Sequence, residues 1–205
     1  MKQRLLCVSL FLCALPSIAF AQGAQGEREG VYGSVGLGHG SYVLDTYSYS
    51  IQSVDGSASS TVLSLGIEKK SFKQSNNIVY DVGGEVEIGF GITGAANGFS
   101  GSGGSQVGTR VLLKAGYLMG EGQDKGKFVP MIGLGPYFIT MNVNQVGNYI
   151  YGLQGYGGVD IKLNESIVLT PQAHFGIASY GWSDNGYQNG QPGMFEFGVK
   201  IAKKF

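Results

Sequence analysis

The stretch Ile78-Val-Tyr-Asp-Val-Gly-Gly-Glu-Val-Glu-Ile-Gly-Phe-Gly-Ile92 decides the fold. Ile78, Tyr80, Val82, Gly84, Val86, Ile88, Phe90 and Ile92 fall on one face of a period of two. Val79, Asp81, Gly83, Glu85, Glu87, Gly89 and Gly91 fall on the other. Strict alternation is the signature of an extended strand, because successive side chains leave opposite faces. An ordinary strand runs about 5–6 residues, so this one is far longer than a soluble sandwich needs. A tilted strand crossing a bilayer needs about 9–11 residues plus its ends.

The same alternation recurs along the chain, in segments around Val35, Leu65, Ile88, Leu113, Leu134, Val159, Leu169 and Val199. Eight is an even number, and an antiparallel meander of eight strands closes into a barrel with no free edge. Pro130 and Pro136 lie in the fifth segment and cannot donate to a ladder, so a bulge or wide bend is expected there. Connections are expected to be long at 41–59, 93–106 and 180–192, shorter at 142–148, and short at 70–77, 120–127 and 164–166. Long loops would then share one end of the barrel, with Tyr42, Tyr47, Tyr49, Trp182 and Tyr187 as loop or girdle aromatics.

Charge placement decides which face looks inward. Glu68, Asp81, Glu85, Glu87, Arg110, Lys114, Asp160, Lys162, Glu196 and Lys200 fall on the small, glycine-rich face. On the apolar face only Lys69 and Lys203 occur, at strand ends. A lysine or arginine at the midplane of a barrel's lipid face costs about 2–4 kcal/mol, so the charged face is read as the lumen of a membrane barrel. Eight strands leave a lumen just wide enough for side chains to fill. The charges should therefore pair. A network of Asp81, Glu85, Glu87, Arg110 and Lys114 is expected, joined by Glu196 and Lys200, with Glu85 near Lys114 and Glu87 near Arg110. Removing one partner of such a buried pair should cost about 3–5 kcal/mol.

Composition agrees with this class. Of 205 residues 36 are glycine and 23 are tyrosine or phenylalanine, 43% are hydrophobic and only 14% charged. Soluble domains run at about 25% charged. With 14 basic and 14 acidic residues and no basic cluster, nucleic acid is not an expected partner.

Residues 1–21 are read as a secretory signal peptide and 22–205 as the barrel. Lys2 and Arg4 precede an apolar run from Leu5 to Leu15, and Ala19-Phe-Ala21 supplies a small-x-small cleavage site. Cleavage after Ala21 removes Cys7 and Cys13, leaving no thiol for a disulfide or a thiolate metal site.

The chain ends with Phe197, Val199 and Ile201 at alternate positions before a terminal Phe205. This resembles the C-terminal assembly signal of bacterial outer-membrane proteins. Phe128-Val-Pro-Met-Ile-Gly-Leu-Gly-Pro-Tyr-Phe138, and Gly157-Gly-Val-Asp160 with its Asn164-Glu-Ser turn, are similar to strands of the small outer-membrane β-barrel family, the OmpA-, OmpW- and OmpX-type barrels. The resemblance spans Gly30 to Phe205. It implies an all-β, eight-stranded, antiparallel transmembrane barrel in the cell outer membrane, inserted by the outer-membrane assembly machinery, surrounded by outer-membrane lipids and monomeric.

Within that family, lipid A deacylases resemble this chain in size and carry a histidine followed two residues later by serine. Here His174-Phe-Gly-Ile177 lacks the serine. No catalytic constellation is present, so the chain is read as a non-enzyme with no cofactor and no metal. His174 is expected as a hydrogen-bonded interior residue and His39 as an interfacial one. Three functions follow. A structural or surface-interaction barrel acting through loops 41–59, 93–106 and 180–192 on host or surface ligands is favoured. A narrow channel for small or apolar solutes is the alternative, and a lipid A-modifying enzyme the disfavoured third.

Overall fold

The structure is a computed structural model, and it describes residues 28–47, 53–96, 99–121, 125–143, 146–183, 186–188 and 193–205. The expected signal peptide at 1–21 lies outside the described residues. The strands are β1 (Gly30–Tyr47), β2 (Ser53–Ser75), β3 (Ile78–Ala96), β4 (Phe99–Ser102), β5 (Gly104–Tyr117), β6 (Phe128–Val143), β7 (Val146–Lys162), β8 (Ile167–Ser183), β9 (Gly186–Gln188) and β10 (Gly193–Lys204). Eight long strands form the wall. The short β4 and β9 fold back on β3 and β8 at one end.

Each long strand pairs antiparallel with its neighbour in the wall, and β10 pairs with both β8 and β1, which closes the ring. The apolar face points outward. Leu37, Leu65, Leu113, Ile132, Phe175 and Val199 are exposed, Ile132 by 73%. Closing the sheet removes every unpaired edge, and an outward apolar belt suits hydrocarbon surroundings.

The ends of the barrel differ. The turn end carries the tight connections: Asn76–Asn77 between β2 and β3, and 163–166 between β7 and β8. There the side-chain oxygen of Asn164 accepts from the backbone N–H of Ser166 and of Ile167, both at 2.9 Å. This Asx turn explains the tightness without a glycine.

The loop end departs from expectation. Segments 41–59 and 93–106 are largely paired ribbon: β1 and β2 stay in register to Tyr47 and Ser53, and β3 and β4 to Ala96 and Phe99. Backbone hydrogen bonds need no apolar face, so polar Ser–Gly sequence continues the ladder beyond the apolar belt. In 180–192, β8 runs on to Ser183 and pairs with β9.

Two one-residue bulges reverse the inside–outside phase, one at Gly91–Ile92 in β3 and one at Ile177 in β8, where Leu153↔Ala178 is followed by Gln154↔Gly176. A two-residue bulge in β2 preserves it. Opposite Ser60, β3 carries both Gly91 and Ile92, and Gly91 has φ +64°. One extra residue reverses the alternation. Ile92, expected outside with Phe90, is therefore buried in the lumen at 1% exposure. Opposite Asp81, β2 carries Lys70, Ser71 and Phe72, with Ser71 at φ 52°. Segment 70–77, expected as a turn, is therefore strand as far as Ser75.

The expected bulge at the prolines is absent. The β5–β6 ladder keeps one register from Arg110↔Tyr137 to Leu113↔Leu134 and skips only the pairs opposite Gly135 and Pro136. Pro136 lacks a donor, and the ladder is interrupted there without an inserted residue.

Candidate functional site

The lumen is filled in layers. At the loop end Tyr42, Ile92, Tyr137, Ile139, Met141 and Ile150 belong to a buried apolar cluster. At the turn end Val79, Leu112, Val129, Met131 and Tyr156 belong to another. Between and beneath these lie the charges, supplied by inward positions of β2, β3, β5, β7 and β10.

The layer nearest the loops centres on Arg110, which contacts Glu87 and lies 2.5 Å from Glu196. Tyr42 donates its hydroxyl to Glu196 at 2.5 Å, and Gln106 donates to Tyr42 at 2.6 Å and to Glu87 at 3.0 Å. Tyr42, expected in a loop, is thus a lumen residue. Ser60 donates to the Gln106 carbonyl at 2.7 Å, which fixes the amide's orientation.

In the middle layer Lys200 binds Glu85 at 2.7 Å and Lys114 binds Glu68 at 2.6 Å, with Lys200 also 3.4 Å from Glu68. The Lys114 ammonium sits 4.8 Å above the Tyr156 ring. Nearest the turn end, Lys70 binds Asp160 at 2.6 Å and Glu68 at 3.3 Å. Arg28, two residues ahead of β1, contacts both Asp81 and Asp160. Asp81 also accepts the Ser71 backbone N–H at 2.7 Å, a donor freed by the bulge. Burial lowers the Arg28 pKa, and the Asp81 and Asp160 carboxylates more than reverse this, so it stands above the ordinary arginine value.

All seven residues expected in the network are buried in the lumen. Their partners differ in part. Arg110 meets Glu87, as neighbouring strands suggest. Lys114 meets Glu68 on β2 and not Glu85, because the register sets Lys114 opposite Asp81 and Arg110 opposite Glu85. Long side chains in a narrow barrel reach across the lumen, so sequence neighbours are not the natural partners. Asp81 turns to Arg28, and Glu85 to Lys200.

Four members lie outside that expected set: Arg28, Glu68, Lys70 and Asp160. Glu68 and Asp160 had inward parity. Lys70 shares the parity of Val62, Ser64, Gly66 and Glu68, a usable signal masked by reading it as turn. Arg28 carries no strand signal at all.

His174 is inside, edge-on to Tyr156 with ring centroids 5.2 Å apart. Neither ring nitrogen has a hydrogen-bond partner, contrary to expectation. His39 faces outward, 5.8 Å from the Phe197 ring. Phe197, Val199, Ile201 and Phe205 are all exposed, Phe205 by 86%.

No protein-family profile and no curated protein sequence matches this chain. Among solved structures, the outer membrane protein OprG from Pseudomonas aeruginosa superposes with a TM-score of 0.52 at 16% identity, over 89% of this chain and 99% of that one. Neisserial surface protein A gives 0.46 at 14% identity, over 88% and 100%. Ail of Yersinia pestis gives 0.43 at 11% identity, over 86% and 99%. The likeness to OprG is one of fold: the chain is a closed eight-stranded antiparallel barrel of the outer-membrane type.

Proposed function

We propose that this barrel resides in a bacterial outer membrane as a closed monomer and acts through its loop end as a structural or surface-interaction protein. Export by residues 1–21, with cleavage after Ala21, and insertion by the assembly machinery through the Phe205 terminus belong to the same reading. The observation that carries it is the sealed lumen. Each buried lysine, arginine, aspartate and glutamate among the described residues makes an ion pair, and apolar clusters lie on either side of the middle charges. A lumen filled in this way offers small solutes no open aqueous path, which leaves the ribbons and loops of 41–59, 93–106 and 180–192 as the surface available to a ligand.

Two measurements test the reading. Protein refolded in detergent, shown folded by heat-modifiable gel migration, is inserted into a planar bilayer beside Lys114→Met. No discrete current from either supports the sealed barrel. Openings that change with the variant would establish a narrow channel instead. Deletion of 184–192 and, separately, 48–52 should abolish attachment of expressing cells to host surfaces or matrix ligands. Unchanged attachment to every surface that the intact protein binds would overturn the surface role.

A further inference from the structure

The layer around Arg110 does not balance. Glu87 and Glu196, both buried, share this one guanidinium. Beside it lies a small, partly open pocket of about 30 Å³ between β1 and β10, whose walls include Glu85, Arg110, Gln172, His174 and Glu196. About 10–15 Å³ of such space is enough to hold one water, so the pocket has room for a water-sized occupant.

Several wall atoms have no hydrogen-bond partner: Glu85 Oε2, Gln172 Oε1 and both nitrogens of His174. Glu85 is 7% and His174 3% exposed. Buried polar atoms left without a partner cost free energy, and in native structures they mark water or an ion. Here two orphans are oxygens, one belongs to a carboxylate, and a neutral imidazole adds one lone pair.

We infer that this pocket binds one small monovalent cation of the sodium class, held by Glu85 Oε2, Gln172 Oε1 and one nitrogen of His174. The ion adds a positive charge beside Glu85 and Glu196, and it satisfies three orphaned acceptors at once. The nearby cations do not already serve this purpose: Arg110 is engaged by Glu87 and Glu196, and Lys200 by Glu85 Oε1 and Glu68. Two of the three donors are oxygens and none is sulfur, which disfavours a soft metal.

The test uses the full barrel refolded in uncharged detergent and exchanged into choline chloride. Sodium replaces choline at constant ionic strength while the thermal midpoint is read by heat-modifiable migration. Saturation of the site should raise the midpoint by about 3–6 °C, as expected for a ligand that binds only the folded state at roughly ten times its Kd. Gln172→Leu and His174→Phe, which leave every charge in place, should each shift the sodium response to at least tenfold higher concentration. Equal midpoints in sodium and choline overturn the proposal, leaving water as the occupant. So does a sodium response that both variants retain unchanged. Should neither variant fold, crystals of the unsubstituted protein grown in sodium and in choline decide: density in the pocket that appears with sodium and not with choline supports the site, and the same density in both overturns it.

Discussion

Arg28 reaches back from ahead of the first strand and holds both carboxylate oxygens of Asp81, at 2.9 and 2.8 Å. Asp81 is fully buried, and its other cation, Lys70, stands at 3.8 Å and is engaged by Asp160 and Glu68. Arg28→Met should therefore destabilise the barrel by about 3–5 kcal/mol, measured by urea unfolding in detergent. A loss below about 1 kcal/mol would show that the segment ahead of β1 is not anchored in the lumen.

Arg110 and Lys114 should not respond alike. Arg110 is the cation bound to both Glu87 and Glu196, so Arg110→Met strands two buried carboxylates and should cost about 3–5 kcal/mol or more. Glu68 keeps Lys70 at 3.3 Å and Lys200 at 3.4 Å when Lys114 is lost. Lys114→Met should cost less than half as much in the same assay. Equal losses would mean that Glu68 does not share its cations in solution.

Two glycines make a paired test of strand contact. A Cβ on Gly135 would run into the Val111 carbonyl of β5, whereas one on Gly157 meets nothing within 4 Å. Gly135→Ala should prevent or strongly retard closure, seen as loss of the heat-modifiable band on refolding. Gly157→Ala should stay within about 0.5 kcal/mol of the parent. If both alanines fold equally well, β5 and β6 do not approach as closely as described.

Phe205 offers a separation of stability from assembly. Its side chain is 86% exposed, while its backbone N–H donates to Val31 at 3.0 Å regardless of side chain. Phe205→Ser should leave refolding in detergent nearly unchanged and sharply reduce the folded fraction in the outer membrane of expressing cells. An unchanged cellular fraction would remove Phe205 from the assembly signal.

Much of the wall was legible because period two is rigid: one glance at Glu85, Val86 and Glu87 assigns inside and outside. What hid was whatever breaks the period. Gly91 and Ile92 both read as ordinary members of the alternation, and only the φ of +64° at Gly91 reveals that the phase reverses between them. Lys70 was inward by parity, yet the polar run after it resembles a turn. Arg28 precedes any alternation, and its partners Asp81 and Asp160 are 53 and 132 residues away. In the site, membership followed from parity, but the choice of Glu68 for Lys114 depends on reach across the lumen, a quantity that sequence spacing does not encode.

The layered filling of the lumen sets up opposite responses to temperature. Burial of Ile139, Met141 and Ile150 near the loops weakens on cooling, because apolar hydration loses its entropic penalty. The desolvation cost of the Glu68, Lys114 and Lys200 cluster falls on warming. The apolar caps at both ends of the lumen are thus the first to loosen in the cold, and the charged middle layer the last to yield in the heat, so temperature selects between the ends of the barrel and its centre.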